Sequence, residues 1–317
     1  MPLQAMQEML DRALRGGYAV GYFEPWDQYS MEAVIRAAER RRSPVIIGCG
    51  GIMMNQEWFD GGGMQALAAA GRTLAERCAV PTALILNEAV TLEQIARGVA
   101  CGFNALLLDT SHLDFEENVR KTREVVRLAR PAGAAVEAEL GHLPFGAAEP
   151  DGAGPQEAGG GAPGDGEQES TGRGPSSLTD PDQAAEFVER TGVDALAVSI
   201  GNVHVQLHGT STVDLDLLGR IREKVHVPLV IHGFTGFPEA AIKEAVSLGV
   251  AKFNVGTVLK KLFLEGLRDT LAGTPPGENP QMVVGSRGGR DVVARACKGV
   301  QREVERLIAL FLGEAGS

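Results

Sequence analysis

Eight short apolar runs, each leading into a segment of helical period, limit what this chain can become more than any other feature. The runs are Tyr18–Phe23, Pro44–Cys49, Pro81–Leu86, Ala105–Asp109, Ala134–Glu139, Ala195–Ile200, Pro228–Ile231 and Ala251–Val255. Between them, apolar residues recur at helical spacing over about 28–42, 64–79, 91–102, 114–130, 181–191, 214–224 and 238–248, and a ninth helix starts near Thr257. The runs are apolar on both faces, as strands covered on both sides must be. Eight such units in about 250 residues predict an α/β fold, a closed (β/α)8 TIM barrel. An open doubly wound sheet is the alternative that the same beat allows. An amphipathic helix over about 3–15 precedes the beat, and a tail helix over about 290–312 follows it. All 317 residues are therefore expected to form one barrel domain with an N-terminal helix and a C-terminal helical extension.

One segment interrupts the beat. Gly146 to Ser177 reads GAAEPDGAGPQEAGGGAPGDGEQESTGRGPSS, too poor in apolar residues to bury a core of its own, and a mobile insertion is expected there. It follows the fifth strand, at the end of a barrel where loops cover the site, so it is either a lid or a lineage insertion. The net charge of −11 argues against nucleic acid or an anionic membrane as partner, while leaving room for a small anionic substrate. Cys49, Cys78, Cys101 and Cys297 show no paired spacing and read as inert thiols. With no signal peptide pattern and no apolar run of membrane-span length, a cytoplasmic setting is expected.

In parallel barrels, ligands bind where the strands end. The polar residues at those ends are Glu24, Asn87, Glu88, Asp109, Glu137, Glu139, His204, His232 and Asn254. Singly, each has a structural reading as a helix cap or ion-pair partner; Asp109 could cap the next turn, and Glu137, alternating with Glu139, could face outward. His112, His142 and His226 have no special claim, and His208 reads equally as a surface residue. Together, carboxylates and imidazoles on apolar strands are costly to bury unless they pair or bind a metal. His204, His232 and Glu88 form the set that matches a catalytic divalent-metal site with open positions. A metal there would polarise a carbonyl or stabilise an enediolate. The turns HGFTG, with Gly233, Thr235 and Gly236, and NVGT, with Asn254 and Thr257, open helices and would present backbone N–H groups to a phosphate; tight-turn geometry is their alternative use.

With those residues in view, the chain resembles the class II (metal-dependent) fructose-bisphosphate and tagatose-bisphosphate aldolases. GFNALLLDTSHLDFEENVRKTREVV is similar to that family's strand-four block and AAVEAELG to its strand-five block. VPLVIHGFTGFPEAAIKEAVSLGVAKFNVGT is similar to its strand-seven to strand-eight block, and FLGEAGS to its closing segment. The resemblance spans nearly the whole chain outside 146–177. It implies zinc as cofactor, a small sugar or sugar-phosphate substrate, and a homodimer or homotetramer. It also implies metal ligation by His204 and His232, pocket acids at Asp109 and Glu139, and phosphate contacts at Gly233, Thr235, Asn254 and Thr257.

The departures fall in the pocket. Where the family has His-Leu-Asp-His-Gly, this chain has Ile85-Leu86-Asn87-Glu88-Ala89. Asn87 stands where the proton-shuttling aspartate would be, and an amide cannot take that proton at neutral pH. Glu88 stands at the third histidine ligand, which favours manganese or magnesium beside zinc. The family's His-Gly-x-Tyr-Lys-Gly becomes His204-Val205-Gln206-Leu207-His208-Gly209, and its Phe-Asn becomes Phe23-Glu24. The expectation is a metal-dependent aldolase-like lyase acting on a ketose or keto-acid, phosphorylated by resemblance, with weak standard fructose-bisphosphate activity. Proton transfer is assigned to Glu24, Asp109 or an acid of the insertion such as Glu149, with Asn87 and Glu139 completing the candidate catalytic set. A sugar isomerase or epimerase on the same scaffold, or a catalytically silent sugar-phosphate-binding paralogue, are the rival readings.

Overall fold

The computed structural model describes residues 3–143, 178–204 and 209–313. The insertion at 146–177, with Glu149, and residues 205–208 lie outside the described residues. α1 (Met6–Gly16) precedes β1 (Val20–Phe23) and α2 (Gln28–Arg41); β2 (Val45–Gly50) leads through the short α3 (Gln56–Trp58) into α4 (Met64–Arg77). Then come β3 (Thr82–Ala89), α5 (Leu92–Cys101), β4 (Ala105–Leu108), α6 (Phe115–Ala129), β5 (Ala135–Leu140), α7 (Pro181–Thr191) and β6 (Ala195–Val198). The chain finishes with α8 (Leu215–Lys224), β7 (Leu229–Ile231), α9 (Glu239–Ser247), β8 (Val250–Val255), α10 (Thr257–Ala272), α11 (Pro280–Val283) and α12 (Val292–Leu312). The strands pair in parallel in chain order, and β8 returns to β1 with Val20 opposite Lys252 and Phe23 opposite Val255, closing the (β/α)8 barrel.

Many of the helices start on side-chain caps, which satisfy N–H groups the helix itself leaves free. Asp27, Thr91, Asp114, Asp180, Asp214 and Asp291 cap α2, α5, α6, α7, α8 and α12 in this way. The outward strand faces and the helices form the larger apolar core, in which Phe234, Phe253 and Phe311 pack with ring centroids 4.7–5.5 Å apart. The inward faces form a second cluster of mostly small side chains, including Ala83, Ala105, Ala135, Ala195, Ala197 and Ala251. Met6, Met9, Leu10 and Ala13 of α1 belong to that inner cluster, and Gln4 N–H donates to Thr82 O at the start of β3, so α1 closes the amino-terminal end of the barrel. Among the described residues no helix is long and apolar enough to cross a membrane.

The expected strands appear within a few residues of their predicted limits. The informative difference is β3, which runs on to Ala89 instead of ending at Leu86. Its pairing to β4 steps from Leu86↔Leu106 to Ala89↔Leu108, three residues against two, so β3 carries a one-residue bulge. Glu88 sits in it at φ 51°, a left-handed conformation rare for a non-glycine residue. The α11 turn was not expected, and α12 begins two residues later than the predicted tail helix.

Candidate active site

Because all eight strands run the same way, the residues at their C-terminal ends meet on one rim. The pocket there is lined by Glu24 after β1, Asn87 and Glu88 on β3, Asp109 after β4, Glu139 on β5, His204 after β6, His232 after β7 and Asn254 on β8. Consecutive strand residues normally face opposite sides. The β3 bulge releases Asn87 and Glu88 from that rule, and both reach the pocket: Asn87 Oδ1 accepts from Asn254 Nδ2 at 3.5 Å, while Glu88 Oε1 lies 3.4 Å from His232 Nδ1. The loop after β2 braces the bulge, with Gly51 N–H donating to Asn87 O at 2.7 Å and Ile52 N–H to Glu88 O at 2.9 Å.

One ligand atom from each of Glu88, Glu139, His204 and His232 lies within 4.8 Å of every other. The His204 and His232 rings sit edge to face with centroids 6.0 Å apart. His232 Nδ1 and Glu139 Oε1 are both buried and have no hydrogen-bond partner among the described residues, a costly arrangement unless something binds there. Two imidazole nitrogens and two carboxylates, with no thiolate, form a donor set that suits a borderline or hard divalent cation such as zinc, manganese or magnesium. The residues present therefore fit the metal that the resemblance implies, and Glu139, expected as a pocket acid, stands in the ligand cluster itself.

Burial and neighbouring charge set the protonation of this cluster. Burial among Glu88, Asp109 and Glu137 raises the Glu139 carboxyl to about 7, although His232 opposes the rise. Glu88 is held below the usual range because its interactions with His232 and His204 outweigh burial. Burial alone would lower His232, but its hydrogen bond to Glu137 and the neighbouring Glu88 and Glu139 carboxylates raise it to about 10. His204 is lowered, chiefly by burial.

Beneath the cluster lies a buried polar chain. Glu137 Oε1 is 2.8 Å from His232 Nε2, and Glu137 Oε2 accepts from Lys252 Nζ at 2.6 Å. The reading of Glu137 as an outward acid is thus corrected: residues two apart on a strand share a face, so Glu137 points inward with Glu139. By the same parity Lys252 points inward below Asn254, and its ammonium lies 5.3 Å from the centre of the Tyr22 ring.

The anion-binding turns stand beside the cluster. Gly233 (φ 65°), Thr235, Asn254 and Thr257 line the pocket. A Cβ on Gly233 would fall 2.3 Å from Val203 O, so the chain can pass there only as glycine. Gly236 does not line the pocket; it turns the loop, and its carbonyl accepts from Ser211 N–H at 2.7 Å. Asp109 Oδ1 accepts from Ser111 N–H at 3.0 Å and Ser111 Oγ at 2.7 Å. Glu24 Oε1 pairs with Lys260 Nζ of α10 at 3.1 Å, and burial raises the Glu24 carboxyl despite that cation. Sequence reasoning missed Tyr22, His142 and Lys260, which also line the pocket, and the apolar Ile52 and Met53 at its rim. Lys260 was detectable, since it lies one helical turn inside the helix that NVGT opens. None of the four cysteines forms a disulfide, and Cys49, Cys78 and Cys297 are buried.

Comparison with known proteins gives a consistent result. The family described as "Fructose-bisphosphate aldolase class-II" matches residues 4–316. A fructose-bisphosphate aldolase from Geobacillus stearothermophilus is 34% identical over 305 residues, covering 96% of this chain and 97% of that protein. A probable fructose-bisphosphate aldolase from Bacillus subtilis (strain 168) is 35% identical over 308 residues, covering 96% and 98%. The crystal structure of the YdjI aldolase from Escherichia coli K12 superposes with a TM-score of 0.76 at 31% identity, covering 98% of this chain and 97% of that one.

Proposed function

The chain belongs to the class II fructose-bisphosphate aldolase family, and from that premise we propose that it is a metal-dependent aldehyde lyase that makes or breaks a carbon–carbon bond in a ketose or keto-acid. The observation that carries the reading is the Glu88–Glu139–His204–His232 cluster at the mouth of the barrel, with two orphaned ligand atoms. These four residues would hold the cation, which when bound supplies Lewis-acid polarisation of the substrate carbonyl.

The chain's own residues do the rest. Asn254 Oδ1 is buried with no hydrogen-bond partner among the described residues and accepts a substrate hydroxyl, while Asn87 steadies the amide from its other side. The Gly233–Thr235 and Asn254–Thr257 turns offer backbone N–H groups to a phosphate or carboxylate at the end of the substrate, with the Lys260 ammonium beside them. Proton exchange falls to Asp109, steadied by Ser111, and to Glu24, steadied by Lys260. Asn87 orients but cannot accept a proton, which supports a substrate or bond-cleavage step other than that of standard fructose-bisphosphate aldolases.

The test is metal analysis of freshly purified protein, followed by a retro-aldol assay over phosphorylated and free ketoses and keto-acids. A bound divalent cation with cleavage of at least one substrate is the expected result. Interconversion of isomers without cleavage would move the assignment to an isomerase or epimerase. Folded, metal-supplemented protein that turns over nothing yet binds sugar phosphates would make it a silent paralogue.

A further inference from the structure

We infer that Glu137 and Lys252 are positioning residues for the cation site, a buried pair that fixes which nitrogen of His232 faces the cluster. This rests on the metal reading above and adds residues that lie outside the ligand set. The geometry is a linear chain through the barrel interior: Lys252 Nζ to Glu137 Oε2 at 2.6 Å, then Glu137 Oε1 to His232 Nε2 at 2.8 Å, with His232 Nδ1 on the far side of the ring facing Glu88 and Glu139. Both side chains of the pair are fully buried.

An ionised carboxylate only accepts hydrogen bonds. Facing Glu137, the His232 ring keeps its hydrogen on Nε2, so the proton that a cation displaces is the one on Nδ1, whose lone pair then faces the cluster. Lys252 supplies the opposite charge without which a carboxylate could not sit dry inside the barrel, and it pins Oε2 so that Oε1 stays aimed at the ring. Facing the helices, this lysine would be buried in the apolar core; facing inward, it has the Glu137 carboxylate for a partner.

Glu137→Gln is the decisive variant. Its amide is nearly isosteric and can turn its NH2 group to Nε2, which reverses the hydrogen bond and places the ring hydrogen on Nδ1. Loss of such an outer partner costs roughly 10–100-fold in metal affinity. The measurement is competition of Zn²⁺ and Mn²⁺ against a chelating indicator, together with the visible spectrum of the Co²⁺-loaded protein and the melting temperature without metal. Wild type is expected to bind tightly. Glu137→Gln and Lys252→Met should each weaken binding by about 10–100-fold, with an altered Co²⁺ spectrum. The double variant should be no weaker than the worse single variant, because both act through one hydrogen bond. If Lys252→Met fails to fold, Glu137→Gln decides alone. Variants that bind as tightly as wild type, with unchanged spectra, overturn this inference and leave the metal reading standing. A wild type that binds no divalent cation overturns both.

Discussion

Glu88 reaches across the barrel mouth toward His232, its Oε1 3.4 Å from Nδ1, from a backbone held at φ 51°. A left-handed backbone at a residue with a Cβ costs about 1–2 kcal/mol, which the fold tolerates where the side chain must point somewhere an ordinary strand would not send it. Glu88→Ala and Glu88→Gly remove the same carboxylate, so their difference isolates the backbone. Glu88→Gly is expected to be the more stable by about 1 kcal/mol in urea unfolding, the reverse of the usual order in a strand. Both should lose metal on dialysis, whereas Glu88→His should retain it and favour zinc. Full metal occupancy in Glu88→Ala with activity gone would make Glu88 the base instead of a ligand.

Asn87 predicts the substrate profile. Cleavage of fructose 1,6-bisphosphate by wild type should be weak or absent, since a positioned proton acceptor contributes roughly 10²–10⁴-fold. Asn87→Asp should raise that activity without changing metal content, as read by a coupled assay of triose phosphate release. Robust turnover by wild type would show that another acid serves.

Lys260 reports on the anion turns. A hydrogen bond to a charged group contributes about 1.5–3 kcal/mol, so Lys260→Met should raise KM for a phosphorylated substrate about tenfold or more. KM for the matching unphosphorylated sugar should change little. Equal effects on both would show that Lys260 serves only to hold Glu24, with which it pairs at 3.1 Å.

Asp291 predicts acid sensitivity away from the pocket. Its carboxylate accepts from Val293 N–H at 3.0 Å, Ala294 N–H at 3.1 Å, Arg287 N–H at 2.8 Å and Tyr29 Oη at 3.2 Å. Burial pushes the carboxyl up, but these donors prevail and hold it below its ordinary value of 3.8. A folded pKa below the unfolded one gives stability that is complete above about pH 4 and is lost as pH falls through the folded value. Asp291→Asn keeps one oxygen for the Val293 and Ala294 N–H groups but turns an NH2 toward Arg287 N–H and Tyr29 Oη, and should therefore be less stable than wild type by about 1 kcal/mol at pH 6. The gap should close in melting curves recorded toward pH 3; a gap independent of pH would refute the argument.

The barrel was legible because its strands are apolar on both faces and its turns fall at even intervals. Five strand-end residues, Glu24, Asp109, Glu139, His232 and Asn254, were legible for the same reason: where a strand stops, its last polar side chain meets the pocket. Glu88 was found by position, but the bulge that turns it inward was not, because a single extra residue leaves no mark on an apolar pattern. Glu137 was misread through parity, and Lys252 was passed over because nothing near it in the sequence offers a buried ammonium a partner. Its burial depends on a partner from β5, over a hundred residues earlier in the chain. Such a pair is a property of the closed barrel, visible only when β5 and β8 are brought together.

With Met6, Met9, Leu10 and Ala13 seated against the inner side chains, α1 stoppers the barrel at the end opposite the pocket, which lies at the rim. Among the described residues, reactants, products and stray water therefore share the rim side of the barrel. The order in which they come and go, and not a choice between separate routes, then governs what meets a half-finished molecule while it is still inside.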